Sequence, residues 1–482
     1  MFDFETLYTL TFFSLMVLFL LWRPHGLNEA IPPTIGAIFI FIAGIVPLSD
    51  VFEIFGIVSG ASITIISTII MSIVLDSIGF FRWAAFNLVN RANGSGIILY
   101  WYTILLCFLM TMFFNNDGSI LITTPIIINI VTMLKLKPHQ QFPYLLSGAL
   151  VATASSAPIA VSNLANLIAL EIVGLNLNLY VSMMFVPSMI GITTISLMLY
   201  YYFKRDIPKK IRVISASNDT LYLFADYVHR PVHPSVHPPV HPKGHPHHGP
   251  RPPHQYPSEL LAGTTTNSPI IDRSMFKVSI AIVALIRVGL FVGASFNIPI
   301  ELIGIIGALM LIGYRWYRKR VGPYDIVKKT PWHIILFAFS IYIVIYGMHN
   351  IGLTGYIIEI LRGPISANYL SACLISGGLL TLMSNLFNNL PAVMIGTFTL
   401  SAMNLDLPTL HIAYLANIIG ADIGSLITPM GTLATLIWIF LLRKNGIKIR
   451  WADIMKVTIR VIPIGLIISL LSLYFWVEWL FY

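Results

Sequence analysis

Two amides and a carboxylate, Asn115, Asn116 and Asp117, stand in "FFNNDGSILITTP" (residues 113–125) between two long apolar runs, where a membrane helix would carry hydrocarbon. A second amide pair, Asn388 and Asn389, stands in "SNLFNNLPAVMIGT" in the same kind of surroundings, and a second acid, Asp422, in "ANIIGADIGSLITP". An asparagine amide both donates and accepts hydrogen bonds. Groups of this kind gathered at membrane depth can line a solute cavity. The plainer alternative is that they cap broken helices and bond across a helix bundle. An acid inside a span is costly to ionise and is therefore a functional hypothesis from the outset. Asp76, Glu171 and Arg287 also fall in or near apolar runs and read as structural pairs or interfacial side chains.

The elements that must position these groups follow from composition. The chain has 482 residues, 56% hydrophobic and only 10% charged, with mean hydropathy +0.81. An average soluble domain carries roughly 25% charged residues, so this is an all-α polytopic membrane protein. Apolar runs of the length a bilayer core demands recur from end to end. The net charge of +9 does not signal nucleic acid, because the basic residues lie in short loops at helix ends. The loops "FKRDIPKKIR", "RWYRKRVGPYDIVKK" and "RKNGIKIRWADIMK", with Arg82, Arg91, Lys135 and Lys137, are cytoplasmic by the positive-inside rule. Residues 97–136 then hold two apolar segments that start and end on one side, which a re-entrant hairpin with "NNDG" at its tip satisfies. About ten spans result, with two re-entrant hairpins and two interrupted helices, and both termini extracytoplasmic. The first apolar run lacks a basic n-region and a cleavage site, so it reads as a retained helix. Cys107 and Cys373 have no partner spacing and read as core filler.

The two halves match in order and in sequence. "IGFF" (78–81) aligns with "IGLT" (351–354) and "FNND" (114–117) with "FNNL" (387–390), both offset by 273 (351 − 78, 387 − 114); "SNLANL" (162–167) aligns with "GTLATL" (431–436), offset by 269 (431 − 162). Residues 1–203 form the first repeat, with a hairpin over 97–136 and an interrupted helix over 143–170. Residues 276–482 form the second, with a hairpin over 369–404 and an interrupted helix over 410–441. The second repeat starts from the opposite side. Inverted repeats of this kind are the plan of secondary transporters, whose site lies near the midplane where broken helices meet.

The segments "FFNNDGSILITTPIII", "PIAVSNLANLIA", "SNLFNNLPAVMIGT" and "ANIIGADIGSLITPMGTLATLIW" resemble the signatures of the arsenical pump membrane proteins, bacterial arsenite and antimonite exporters of the ion transporter superfamily. The resemblance covers nearly the whole chain outside residues 213–272. It implies an inner-membrane antiporter exchanging protons for trivalent arsenic or antimony hydroxide, in some cases assisted by a soluble arsenite-stimulated ATPase. No cofactor is implied. The wider superfamily is built as a scaffold plus a moving transport part. Its pattern places hairpin tips at Asn115–Gly118 and Asn388–Pro391, and unwound segments at Ser162, Asn163 and Asn166 and at Thr428, Gly431 and Thr432. Arsenite is a small uncharged trihydroxide at neutral pH, so it wants short donors and acceptors from several directions and no strong charge. Asp117 is the leading candidate for the proton carrier and Asp422 the second. The rival on the same fold is a sodium/proton antiporter or an anion symporter. A thiol route through Cys107 and Cys373 would bind arsenic too tightly for release.

Residues 204–275 read as a cytoplasmic linker with a His/Pro-rich stretch at 229–257, "HRPVHPSVHPPVHPKGHPHHGPRPPHQ" at its heart. Proline forbids a helix there, so the stretch reads as extended and disordered. His233, His237, His241 and His245 are weak candidates for loose binding of zinc, copper or nickel. The alternatives are a plain spacer, or a docking site for a partner such as an ATPase; a metal-sensing membrane protein is the rival function from another class. No His-Glu metal motif, nucleophile elbow or carboxylate pair suggests an enzyme.

Overall fold

The computed structural model describes residues 4–22, 27–212 and 273–481, so the histidine candidates His233, His237, His241 and His245 lie outside the described residues. Among the described residues the chain is α-helical, with two short 3₁₀ turns and no strand. The first half runs α1 (Phe4–Trp22), α2 (Ile31–Ile42), α3 (Leu48–Ser77), α4 (Phe80–Arg91), α5 (Gly96–Phe113), α6 (Asn116–Met133), α7 (Pro138–Ala154), α8 (Leu164–Val173) and α9 (Leu177–Phe203). The second half runs α10 (Arg273–Ser295), α11 (Ile300–Lys319), α12 (Tyr324–Lys329), α13 (His333–Asn350), α14 (Leu353–Ser366), α15 (Tyr369–Phe387), α16 (Asn389–Ser401), α17 (Leu407–Asp422), α18 (Leu433–Lys444) and α19 (Trp451–Phe481).

The helix order from α3 to α9 recurs from α13 to α19. In each series a long helix ends at a glycine in the left-handed region, Gly79 at φ 89° and Gly352 at φ 79°, from which a short helix starts. Two helices then meet at an Asn-Asn tip, a helix breaks around a 3₁₀ turn, and a long helix closes the series. Among the described residues ten helical stretches are long and apolar enough to cross a membrane. They include α5 and α15, the first arms of the two tip-bearing pairs, and leave out α2, which at 12 residues is shorter than a bilayer core demands.

Two bundles result from the packing. The helices α1, α2, α3, α10, α11 and α13 lie on one another, with α2 against α13 and α11 against α3. The helices α5 to α9 and α15 to α19 form the other, with α9 against α19. Lipid offers helices little hydrophobic drive to associate, so close approach at small residues supplies much of the contact. At the α15–α17 crossing a Cβ on Gly420 would overlap the Gly377 carbonyl, so the two backbones touch directly. Within this bundle each tip-bearing pair leans on the broken helix of the other half, α6 on α18 and α16 on α8. That reciprocal contact brings sites some 270 residues apart to one place.

Candidate functional site

Each tip is made where a helix ends in the protein interior and must satisfy its exposed backbone groups. At the first tip Asn115 is the N-cap of α6: its Oδ1 accepts from Gly118 N at 3.1 Å, and Asn116 Oδ1 accepts from Asp117 N at 2.8 Å. The carbonyls at the end of α5 are met from the other bundle. Arg287 of α10 donates from Nε to Phe113 O at 2.7 Å and from Nη2 to Phe114 O at 2.7 Å, with Nη2 also on Phe113 O. Arg287 is buried, 7% exposed. Its polar partners are backbone carbonyl dipoles in place of the acid that a structural pairing would bring.

The second tip is tied to the break in its own half. Asn389 N donates to Gly431 O at 2.9 Å, and Asn388 Nδ2 to Met430 O at 3.2 Å. Asn388 sits at φ 79°, ψ 154°, a region that glycine almost alone adopts and that costs another residue about 1–3 kcal/mol. The break itself is clamped by Asn385, which the sequence did not single out: its Oδ1 accepts from Thr428 N at 2.8 Å, and its Nδ2 donates to Thr381 O and Gly424 O at 2.8 and 2.9 Å. Thr432 caps α18, accepting from Thr435 N at 3.0 Å. A Cβ on Gly431 would overlap the Ser425 carbonyl, so only glycine fits there.

In the first half the chain leaves helical geometry after Ala154 and resumes it at Leu164. Ser162 lies in the 3₁₀ turn and Asn163 caps α8, whereas Asn166 is helical, in the first turn of α8 and past the end of the break. Asp422, the last residue of α17, reaches these amides from the other half. Its Oδ1 accepts from Asn163 Nδ2 at 2.7 Å and its Oδ2 from Asn166 Nδ2 at 2.6 Å. Asp422 is fully buried.

The groups that share open space are fewer than the candidates. Asn116, Asp117, Asn163, Asn388 and Asn389 line one cavity of about 30 Å³, closed by Leu164, Ile334, Phe337, Leu390 and Leu433. No basic side chain lines it. A vestibule of about 630 Å³ adjoins it, walled by Ser72, Leu121, Ile122 and Leu436 and reaching Glu29 and the helix-end residues Trp22, Lys329, Arg443 and Trp451. Asp117, Ile334 and Leu433 line both spaces, so they form the partition between them. His333 and Glu29 pair at 2.9 Å in the vestibule wall. Several polar atoms around the tips are buried without a hydrogen-bond partner among the described residues, including Asn115 Nδ2, Asn388 Oδ1, Asn166 Oδ1 and Ser162 Oγ. Native interiors rarely leave such valences unused. Cys107 and Cys373 are both buried away from this space, with Cys373 Sγ against Leu470 O at 3.2 Å, and among the described residues no cluster of His, Cys, Asp or Glu could hold a metal.

Over residues 16–420 the chain matches the family CitMHS, described as citrate transporter. It is 45% identical over 475 residues to the "Putative arsenical pump membrane protein" of Bacillus subtilis (strain 168), an alignment that spans 98% of this chain and 100% of that one. It is 28% identical over 439 residues to the "Arsenical pump membrane protein" of Escherichia coli (strain K12) and to that of Yersinia enterocolitica, in each case across 91% of both chains.

Proposed function

Since the chain belongs to the citrate transporter family and, within it, to the arsenical pump membrane proteins, we propose that this multi-pass transporter exports arsenite and antimonite from the cytoplasm in exchange for protons. The observation that carries the reading is the shared cavity of Asn116, Asp117, Asn163, Asn388 and Asn389. A space of about 10–15 Å³ holds one water, so about 30 Å³ suits a solute of a few heavy atoms such as a metalloid trihydroxide. Citrate is too large for it and would meet Asp117 with no cation to balance its charge. The amides turn either a donor or an acceptor toward each hydroxyl, so the solute binds whatever its rotation.

Asp117 supplies the coupling. It touches the vestibule on one side and the solute cavity on the other. Protonated, it crosses the membrane as a neutral group; deprotonated toward the vestibule, its oxygens accept from the hydroxyls of the solute. Proton and solute therefore occupy it in turn, which is exchange. Asp422 has both oxygens already engaged by Asn163 and Asn166, and its role is to join the two broken helices. The vestibule lies on the side of Lys329 and Arg443, the cytoplasmic side by the positive-inside rule, so this conformation faces inward. In alternating access the two tips and broken helices move against the bundle of α1–α3, α10, α11 and α13.

Uptake of arsenite into everted vesicles tests the reading. An acid-inside gradient should drive accumulation that a protonophore abolishes. Accumulation driven by sodium alone, or of citrate in place of arsenite, would sink it.

A further inference from the structure

Arg287 is a full cation placed 14 residues into α10, near the middle of a span, and among the described residues no carboxylate pairs with it. Burying an unpaired charge in a membrane is costly and asks for a function. Its neighbours explain how the charge is held. Nε and Nη2 grip the carbonyls of Phe113 and Phe114, the negative end of the α5 dipole, while Nη1 is buried with no partner. These carbonyls belong to the hairpin tip that presents Asn115, Asn116 and Asp117, whereas Arg287 belongs to the opposite bundle. The grip thus crosses the surface along which the two bundles would slide.

The corresponding place in the second half is built otherwise. Phe387 stands where Phe114 stands in the 273-residue offset, and the helix that reaches it is α1, through an edge contact between Phe13 and Phe387 at 5.6 Å. Toward the opposite bundle, the first tip is therefore gripped by charge-assisted hydrogen bonds with fixed geometry, while Phe387 beside the second meets an apolar ring contact that slips without loss of polar partners.

We propose that Arg287 is a positioning residue that latches the first hairpin tip in the inward-facing arrangement, so that the transport cycle requires this guanidinium to release the Phe113 and Phe114 carbonyls. The inference rests on the proposed reading that the tips move relative to α10. The asymmetry between the two tips then makes the inward-facing state the resting one. Losing the latch shifts the resting population and leaves the amides that touch solute in place.

The test uses the full-length protein in vesicles, with Cys107 and Cys373 replaced by alanine and a reporter Leu121→Cys. Leu121 is 44% exposed and lines the vestibule, so a membrane-impermeant maleimide reads how long the vestibule stays open. Because the guanidinium grips two carbonyls of the tip through charge-assisted hydrogen bonds, Arg287→Gln should slow labelling by at least about tenfold. Arg287→Lys, which reaches only part of the grip, should fall between parent and Gln variant. A merely structural arginine would lower the melting temperature and leave the labelling rate unchanged. Equal rates in the parent and both variants overturn the latch; if Arg287→Gln does not fold, the Lys variant against the parent decides alone. Labelling is measured from each face of the membrane, so a reporter reached only from the extracytoplasmic face contradicts the inward-facing reading, while the ratio between variants still decides the latch.

Discussion

Asn166 Nδ2 lies 2.6 Å from Asp422 Oδ2 across 256 residues of sequence. With Asn163 on the other carboxylate oxygen at 2.7 Å, the pair fastens the start of α8 to the end of α17. Helix N-termini favour negative charge and the amide donors add to that preference. A buried acid that would be prohibitive alone is satisfied here by a broken helix. The positions aligned with Asn163 and Asn166 in the second half are Thr432 and Thr435, whose hydroxyls bond each other at 2.8 Å, so the fastening exists on one side only.

Asp422→Asn puts a donor against amide donors and removes charge-assisted bonds worth about 1.5–3 kcal/mol each. The expected result is a larger loss of stability than either Asn163→Ala or Asn166→Ala produces, read as melting temperature of the purified protein. A variant as stable as the parent would deny Asp422 the fastening role.

Asp117→Asn keeps a side chain of the same shape that still accepts from solute hydroxyls but cannot carry a proton. Arsenite should still bind and exchange down its own gradient. Accumulation in response to an acid interior should fall at least about tenfold, the equivalent of roughly 1.4 kcal/mol of coupling. Gradient-driven uptake at the parental rate would remove Asp117 from the coupling.

Asn388 combines a strained backbone with a side chain in the cavity. Asn388→Gly and Asn388→Ala both delete the amide, and only glycine relieves the backbone. The Gly variant should be more stable than the Ala variant by about 1–3 kcal/mol, while both lose arsenite affinity. Equal stability of the two would show that the tip relaxes without strain.

Gly431→Ala forces a Cβ into the Ser425 carbonyl, whereas a Cβ at Gly313 meets nothing within 4 Å. Displacing Gly431 also breaks the Asn389 N to Gly431 O bond that seats the second tip. Transport should be lost in Gly431→Ala and kept in Gly313→Ala, measured as arsenite uptake at matched expression.

Much of this arrangement is legible in sequence because lipid is an unforgiving solvent. Polar residues inside apolar runs mark helix ends, and Asn115, Asn116, Asp117, Asn388, Asn389 and Asn163 stand out for that reason; all but Asn115, which caps α6 instead, line the cavity. The interrupted helices over 143–170 and 410–441 are visible from the same signal, and the resemblance to the family narrows their breaks to Ser162–Asn166 and Thr428–Thr432. What stays hidden depends on pairing across the fold. Arg287 looks like any cation near a span until α10 is placed beside the first tip. Asn385 looks like a neighbour of the tip until Thr428 is seen bonded to it at 2.8 Å. The start of α3 is hidden as well: the helix begins at Leu48, ahead of the acids Asp50 and Glu53, which interrupt the apolar pattern without breaking the helix. Asp422 reads as a coupling candidate in sequence, since nothing local reveals that Asn163 and Asn166 take both its oxygens.

The central claim is that the two tips hold one solute between them, and a double-mutant cycle on arsenite affinity at Asn116 and Asn389 tests it most directly. Independent sites add to within about 0.3–0.5 kcal/mol, whereas groups sharing a ligand couple by about 0.5–3 kcal/mol. Asn116→Ala and Asn389→Ala should each weaken binding, and the double variant should depart from the sum by more than about 0.5 kcal/mol. Additive losses, or affinity indifferent to either amide, would contradict a shared site.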